Sequence, residues 1–339
     1  AYLLSVEARA VVVSAGAIHT PAILLRSGLT HRLIGAHLYL HPVVAVGGIF
    51  PEDYDWPGAK AGARAGGGDG AGKGGMADSV GVGVGVGGEE ESRGALGGLG
   101  SHLGGGGRGG ENVFGCGVMM GVYVDEHMRG MGETTGYGMV IETPPIHPGL
   151  YGMTTPWSDA ITHRLCVGMA RETAIFIGIG RDRSSENNRV VLGPQGEPVI
   201  KYKLTKQDSR VLVKGRTEML RLMRGAGASV LMPVHNGAPW FCTKDVAEDD
   251  AQFERYTQVV EGMGTTVNQA GLFSAHQMGT CRMGATEADG PLRQTGETWE
   301  CQGLFVADGS ALPTSLGINP MVTIEAVAYM VAGEVSCRV

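Results

Sequence analysis

Residues 303–335, "GLFVADGSALPTSLGINPMVTIEAVAYMVAGEV", hold the pattern that decides the fold. Leu304 to Ala307 reads as a short buried strand that ends on Asp308 and Gly309. After a loop, the spacing predicts a helix with Asn319 as N-cap and Pro320 in the first helical position. No capping box is present, because the third helical residue is Val322. A carboxylate and a glycine at the C-terminal end of a buried strand sit where open α/β sheets bind ligands. The helix start behind them offers backbone N–H groups and partial positive charge to an anion.

Just upstream, "SAHQMGTCRMG" (274–284) sets His276 directly before a turn with two glycines and a cysteine. That arrangement suits a packed turn, half of a metal site, or the proton-handling end of an active site. At the other end of the chain, "AVVVSAGAIHTPAILLRSGL" (10–29) reads as a buried strand, Ala10 to Ser14, a glycine turn and a helix. There Thr20 suits the N-cap, Pro21 the first helical position and Gly28 the C-terminal cap. Both ends of the chain therefore carry α/β patterning.

The middle differs. "RVVLGPQGEPVIKYKLT" resembles a hairpin around Pro194, Gln195 and Gly196. "KQDSRVLVKGRTEMLRLMRGAGA" predicts a helix with Val211, Met219, Leu222 and Met223 on one face. This block reads as an α+β layer on an antiparallel sheet. Residues 61–110 hold 23 of the 58 glycines and read as a disordered insertion, since ordering so much glycine costs entropy that little apolar surface offsets. Its chance GxGxxG match at Gly83, Gly85 and Gly88 lacks the strand before and the helix after that a dinucleotide site needs.

Over the 339 residues the net charge is −7 with no Lys/Arg block, which argues against a nucleic-acid partner. The six cysteines form no CxxC pair, so neither a disulfide framework nor a structural zinc site is expected; reduced thiols in an intracellular setting are. No apolar run is long enough for a spanning helix. With no initiator Met and a strand within a few residues of Ala1, the chain reads as the C-terminal part of something longer.

Taken together, "SAHQMGTCRMG", "GETWE", "GLFVADGSALPTSLGINPMVTIEAVAY" and "VVVSAGAIHTPAILLRSGL" resemble the glucose–methanol–choline (GMC) flavoprotein oxidoreductases. Within that family they are most similar to the long-chain fatty alcohol oxidases, a match that "IGAHLYLHPVV" and "GYGMVIETPPIHPGL" strengthen. The resemblance covers roughly residues 1–60 and 111–339. It implies an FAD enzyme that oxidises a primary long-chain alcohol to its aldehyde, with oxygen as acceptor and membrane association through upstream segments. Carried over by position, the catalytic histidine falls on His276, and the family's second catalytic position, His or Asn, falls on Asn319. FAD contacts fall on Asp308, Gly309, Asn319, Pro320 and Met321; no metal is implied. The chain departs from the family in its glycine-rich insert and in lacking the strand–GxGxxG–helix that holds the FAD pyrophosphate.

The implied fold is the GMC one: an α/β FAD-binding domain, represented by its C-terminal pieces only, plus an α+β substrate domain. Residues 1–45 and 266–339 are expected to form the first, 111–265 the second, with 61–110 inserted. Three other readings stay open: a metal module using His276 and Cys281, a flavin-fold relic without activity, and a dehydrogenase for another alcohol with a different acceptor. His41, His147 and His235 read as structural; Met119, Met120 and Met128 read as core filler.

Overall fold

The computed structural model describes residues 6–50, 123–124, 136–144, 148–157, 159–170, 172–243 and 250–338. The glycine-rich segment 61–110, together with His147, Met119, Met120 and Met128, lies outside the described residues.

The chain starts with strand β1 (Val11–Val13) and helix α1 (Gly16–Arg26), then strand β2 (Val43–Ile49). After β3 (Tyr123–Val124) and β4 (Met139–Glu142) come helices α2 (Pro148–Thr154) and α3 (Ala160–Gly168). Strands β5 (Thr173–Gly180), β6 (Arg189–Leu192) and β7 (Pro198–Lys201) lead into the long helix α4 (Lys206–Gly225). Strands β8 (Val230–Pro233) and β9 (Phe241–Cys242), helix α5 (Asp250–Gly262), strand β10 (Leu304–Val306) and helix α6 (Met321–Ser336) complete it.

Five of these strands join β2 in a six-stranded sheet of order β3-β4-β5-β2-β8-β9, and every neighbouring pair is antiparallel. Strand β2, "VVAVGGI", is buried along its whole length, as a strand flanked by partners and covered by helices must be. Helices α4 and α5 cover the sheet, packing Leu212, Met219, Leu220, Met223, Phe253 and Tyr256 against it. Helix α4 bears out its sequence pattern: Val211, Met219 and Met223 are buried and Leu222 packs at the edge. It is capped by Thr205, whose hydroxyl accepts from the Asp208 N–H at 3.0 Å. The hairpin expected around Pro194–Gly196 is present as the β6–β7 pair.

The two ends of the chain meet. Strand β1 pairs in parallel with β10, Val12 opposite Phe305. The expected buried strand Ala10–Ser14 is corrected to Val11–Val13. Val11 and Val12 stay about half exposed, at 51% and 47%, because β10 is the only strand that flanks β1 among the described residues.

Helix α1 also departs from expectation. It begins at Gly16, not after Thr20, and so places Pro21 inside the helix. Pro21 has no N–H for the Ala17 carbonyl one turn back. The Thr280 hydroxyl takes that role, donating to Ala17 O at 2.6 Å. Thr20, freed from capping, is buried and donates to Asp308 instead. The far end is as expected. Gly28 has φ +89°, and Leu29 N–H and Gly28 N–H reach back to Leu24 O and Leu25 O, the paired bonds of a glycine C-cap.

Helix α6 starts at Met321, with Pro320 in the capping position and no side-chain cap. The expectation that Asn319 caps it is therefore corrected: the Asn319 amide turns toward strand β4 and donates to Glu142. Among the described residues no helix is long and apolar enough to cross a membrane.

Candidate active site

The segment carrying His276 is clamped by backbone. Gly279, Cys281 and Met283 donate in turn to the carbonyls of Gly309, Ser310 and Ala311, the short turn that follows β10. Met278 and Tyr39 exchange hydrogen bonds on the other side. Gly279 has φ +87°, and a Cβ there would fall 2.7 Å from His37 O and from the Tyr39 ring. The glycine thus permits a left-handed turn and a close backbone approach that no other residue would. Cys281 is fully buried beside Leu24, Ile34 and Val306, and burial pushes its thiol up. Among the described residues no group of three or more His, Cys, Asp or Glu side chains is placed to hold a metal.

Asp308 occupies the strand end, but its carboxylate is spoken for. Oδ1 accepts from the N–H and the hydroxyl of Ser310, and Oδ2 accepts from Gly16 N–H at 2.9 Å and from the Thr20 hydroxyl. Its side chain joins the two chain ends. The backbone of Gly309 lies close to the His276 segment: a Cβ on it would sit 3.2 Å from Gln277 O and 3.0 Å from Ile324 of α6.

His276 is half-buried, and desolvation lowers its pKa, so the ring is neutral near pH 7. Its Nδ1 lies 3.3 Å from His41 Nδ1, with the rings edge to face at 86°. His41 is 0% exposed and sits in left-handed backbone at φ +46°. Burial, His276 and Arg181 depress its pKa to about 3. Its Nε2 accepts from Gly317 N–H at 3.0 Å. His41, read as structural, connects His276 to the loop that enters α6.

Asp182, fully buried, organises this kink. Its carboxylate accepts from Leu40 N–H, His41 N–H, the Tyr202 hydroxyl and the Ser315 hydroxyl. Burial raises the Asp182 carboxyl in spite of those four donors. Arg181 Nε donates to Ser315 O, so strand β5 and its end hold the α6 entry from both sides. Glu142, 3% exposed on β4, accepts from Asn319 Nδ2 at 3.5 Å, and desolvation raises its carboxyl.

Sequence reasoning read His41 as structural and passed over Asp182 and Glu142. The one available signal was an acidic residue closing the apolar run "MVIE". His235, the third histidine read as structural, bonds Asn236 O and lies away from this cluster's contacts.

The start of α6 has no acidic residue in its first turn and no side-chain cap, and Met321 is 66% exposed. The first N–H groups of a helix have no acceptor within it, which is why such a start suits an anion. His41 contacts both His276 and Gly317 and so links the imidazole to the loop that enters this uncapped helix.

Residues 2–43 match the N-terminal model and residues 184–328 the C-terminal model of the GMC oxidoreductases. The chain belongs to the GMC oxidoreductase family. It is 29% identical over 326 residues to long-chain-alcohol oxidase FAO4A of Arabidopsis thaliana, covering 96% of this chain and 37% of the relative. Long-chain-alcohol oxidase FAO4B of the same plant is 30% identical over 333 residues, covering 97% and 36%. The chain thus spans little more than a third of the length of these two relatives. A structure of an Aspergillus oryzae formate oxidase variant and a crystal structure of formate oxidase share the fold, with TM-scores of 0.52 and 0.53 at 14% identity, over 97% of this chain and 54% of theirs.

Proposed function

We propose that the chain supplies the acid–base half of an FAD-dependent oxidation of a primary long-chain alcohol to its aldehyde, with oxygen as final acceptor. The observation that carries this reading is the His276 ring. It is kept neutral by desolvation, engaged at Nδ1 by His41, and without a hydrogen bond at Nε2 among the described residues. A neutral imidazole can take a hydroxyl proton at physiological pH. FAD, when bound, supplies the acceptor for the hydride that leaves the alcohol carbon.

The residues present fit such a cofactor through backbone. The uncapped start of α6, at Pro320 and Met321, suits the negative charge of a reduced flavin ring. Gly309 lets the strand end pack closely against Gln277 O and Ile324 of α6, where a Cβ would crowd both. The Asp308 side chain serves instead as the tie between β10 and α1. In this reading His276 faces the alcohol oxygen with Nε2 and removes its proton when that nitrogen carries none of its own. Asn319, steadied by Glu142, hydrogen-bonds the same oxygen without titrating. The named relatives support a long alkyl alcohol as substrate and oxygen as acceptor.

The test is flavin reduction by dodecanol under anaerobic conditions in the FAD-loaded protein. Bleaching of the flavin absorbance on mixing, followed by its return with peroxide on admitting oxygen, is the expected result. A flavin that dodecanol leaves oxidised would refute the substrate assignment; one reduced but stable in oxygen would refute the acceptor.

A further inference from the structure

The His41–His276 contact carries more than proximity, because the other nitrogen of His41 is fixed by the main chain. Gly317 N–H can only donate, so His41 Nε2 accepts and bears no proton. A neutral His41 then carries its single proton on Nδ1, the atom 3.3 Å from His276 Nδ1. Two N–H groups cannot face one another across that gap, so His276 Nδ1 accepts, and the proton of a neutral His276 sits on Nε2.

We propose that His41 is a positioning residue that sets the tautomer of His276. While Gly317 N–H occupies His41 Nε2, His276 presents Nε2–H to the site, and it becomes a proton acceptor there only when that backbone contact opens. The proton count balances. On opening, His41 Nε2 gains a proton from water while its Nδ1 proton passes to His276 Nδ1. The His276 Nε2 proton returns to water, so each ring still holds one. The bare Nε2 of His276 is then free to accept. Both histidines are neutral throughout, in keeping with their burial.

The device couples two parts of the fold. Gly317 lies two residues before Asn319, in the loop that Asp182 and Arg181 hold through Ser315. A ligand that shifts the α6 entry would therefore change which nitrogen of His276 bears the proton. The catalytic meaning of this switch rests on the function proposed above; the tautomer itself does not.

Histidine-selective 15N and 13C NMR reads the tautomers directly in the protein without alcohol. His41 should be protonated at Nδ1 and His276 at Nε2. In His41→Phe, which keeps ring bulk but has no donor, the Nδ1–H fraction of His276 should rise about five-fold or more, the effect of losing one hydrogen bond. His276 found as Nδ1–H in the unaltered protein overturns the proposal whether or not the variant folds. An unchanged tautomer ratio in a folded His41→Phe overturns it as well. Correct tautomers in a protein whose flavin dodecanol leaves oxidised would sink the proposed function and leave this inference standing.

Discussion

Asp308 accepts the backbone N–H of Gly16 across 292 residues of sequence, at 2.9 Å, and the buried Thr20 hydroxyl shares the same oxygen. This carboxylate therefore does for the chain's two ends what a turn does for neighbouring strands. It fixes the start of α1 against the end of β10, next to the segment that bears His276. Asp308→Ala leaves Gly16 N–H, Thr20 and Ser310 without their acceptor. A loss of about 3 kcal/mol is expected, since several donors lose a charged partner in a buried setting. Urea unfolding followed by circular dichroism checks it; a change under about 1 kcal/mol would mean the tie is not structural.

Gly279→Ala should act on the same junction from the other side. The new Cβ would meet His37 O at 2.7 Å in backbone that L residues disfavour. The expected cost is about 2 kcal/mol or more. Because the residue lies three positions from His276, the His41–His276 contact should loosen too, visible as exchange broadening of the His276 ring signals. A variant as stable as the parent would show that the turn relaxes freely.

For the chemistry, His276→Ala in FAD-loaded protein should slow flavin reduction by at least about 100-fold while FAD stays bound. Asn319→Ala should cost less, about 10-fold, as it removes one hydrogen bond and not the proton acceptor. Rapid-mixing absorbance measures both. Reduction at the parent rate in His276→Ala would remove His276 from the role.

Much of this architecture was legible in the sequence where local rules act alone. The Gly28 cap, the β6–β7 hairpin and the face of α4 follow from turn chemistry and helical spacing. What misled were residues whose local role yields to a distant partner. Thr20 and Pro21 form a good helix start by themselves, yet Thr280 satisfies Ala17 O and Asp308 recruits Thr20, so α1 begins five residues sooner. Asn319 is a good cap residue, yet Glu142 draws its amide away. Nothing near His41 in sequence announces its contact with His276, 235 positions on. Long-range hydrogen bonds of this kind leave no periodic trace.

The buried histidines predict an acid-sensitive fold. His41 has an unfolded pKa of about 6.5 and a folded value of about 3. Between these values the unfolded chain binds the proton and the folded chain does not, so stability rises with pH across the window. The contribution is fully present above about pH 6.5 and is lost progressively as pH falls toward the folded value. From pH 7.5 to 5.5 the loss from His41 alone is about 1.4 kcal/mol. His276 and His235, also lowered by burial, add to it in the same direction. Glu142 and Asp182, with raised carboxyls, act with the opposite sign, because protonation favours their folded forms. The difference between the parent and His41→Phe isolates the histidine from these. Urea midpoints should fall on acidification in both proteins, but less steeply in the variant, by about 1.4 kcal/mol over the two pH units. Parallel lines would mean that His41 takes up its proton in the folded state as readily as in the unfolded one. The hydrogen bond from Gly317 N–H to its Nε2 would then not persist in solution.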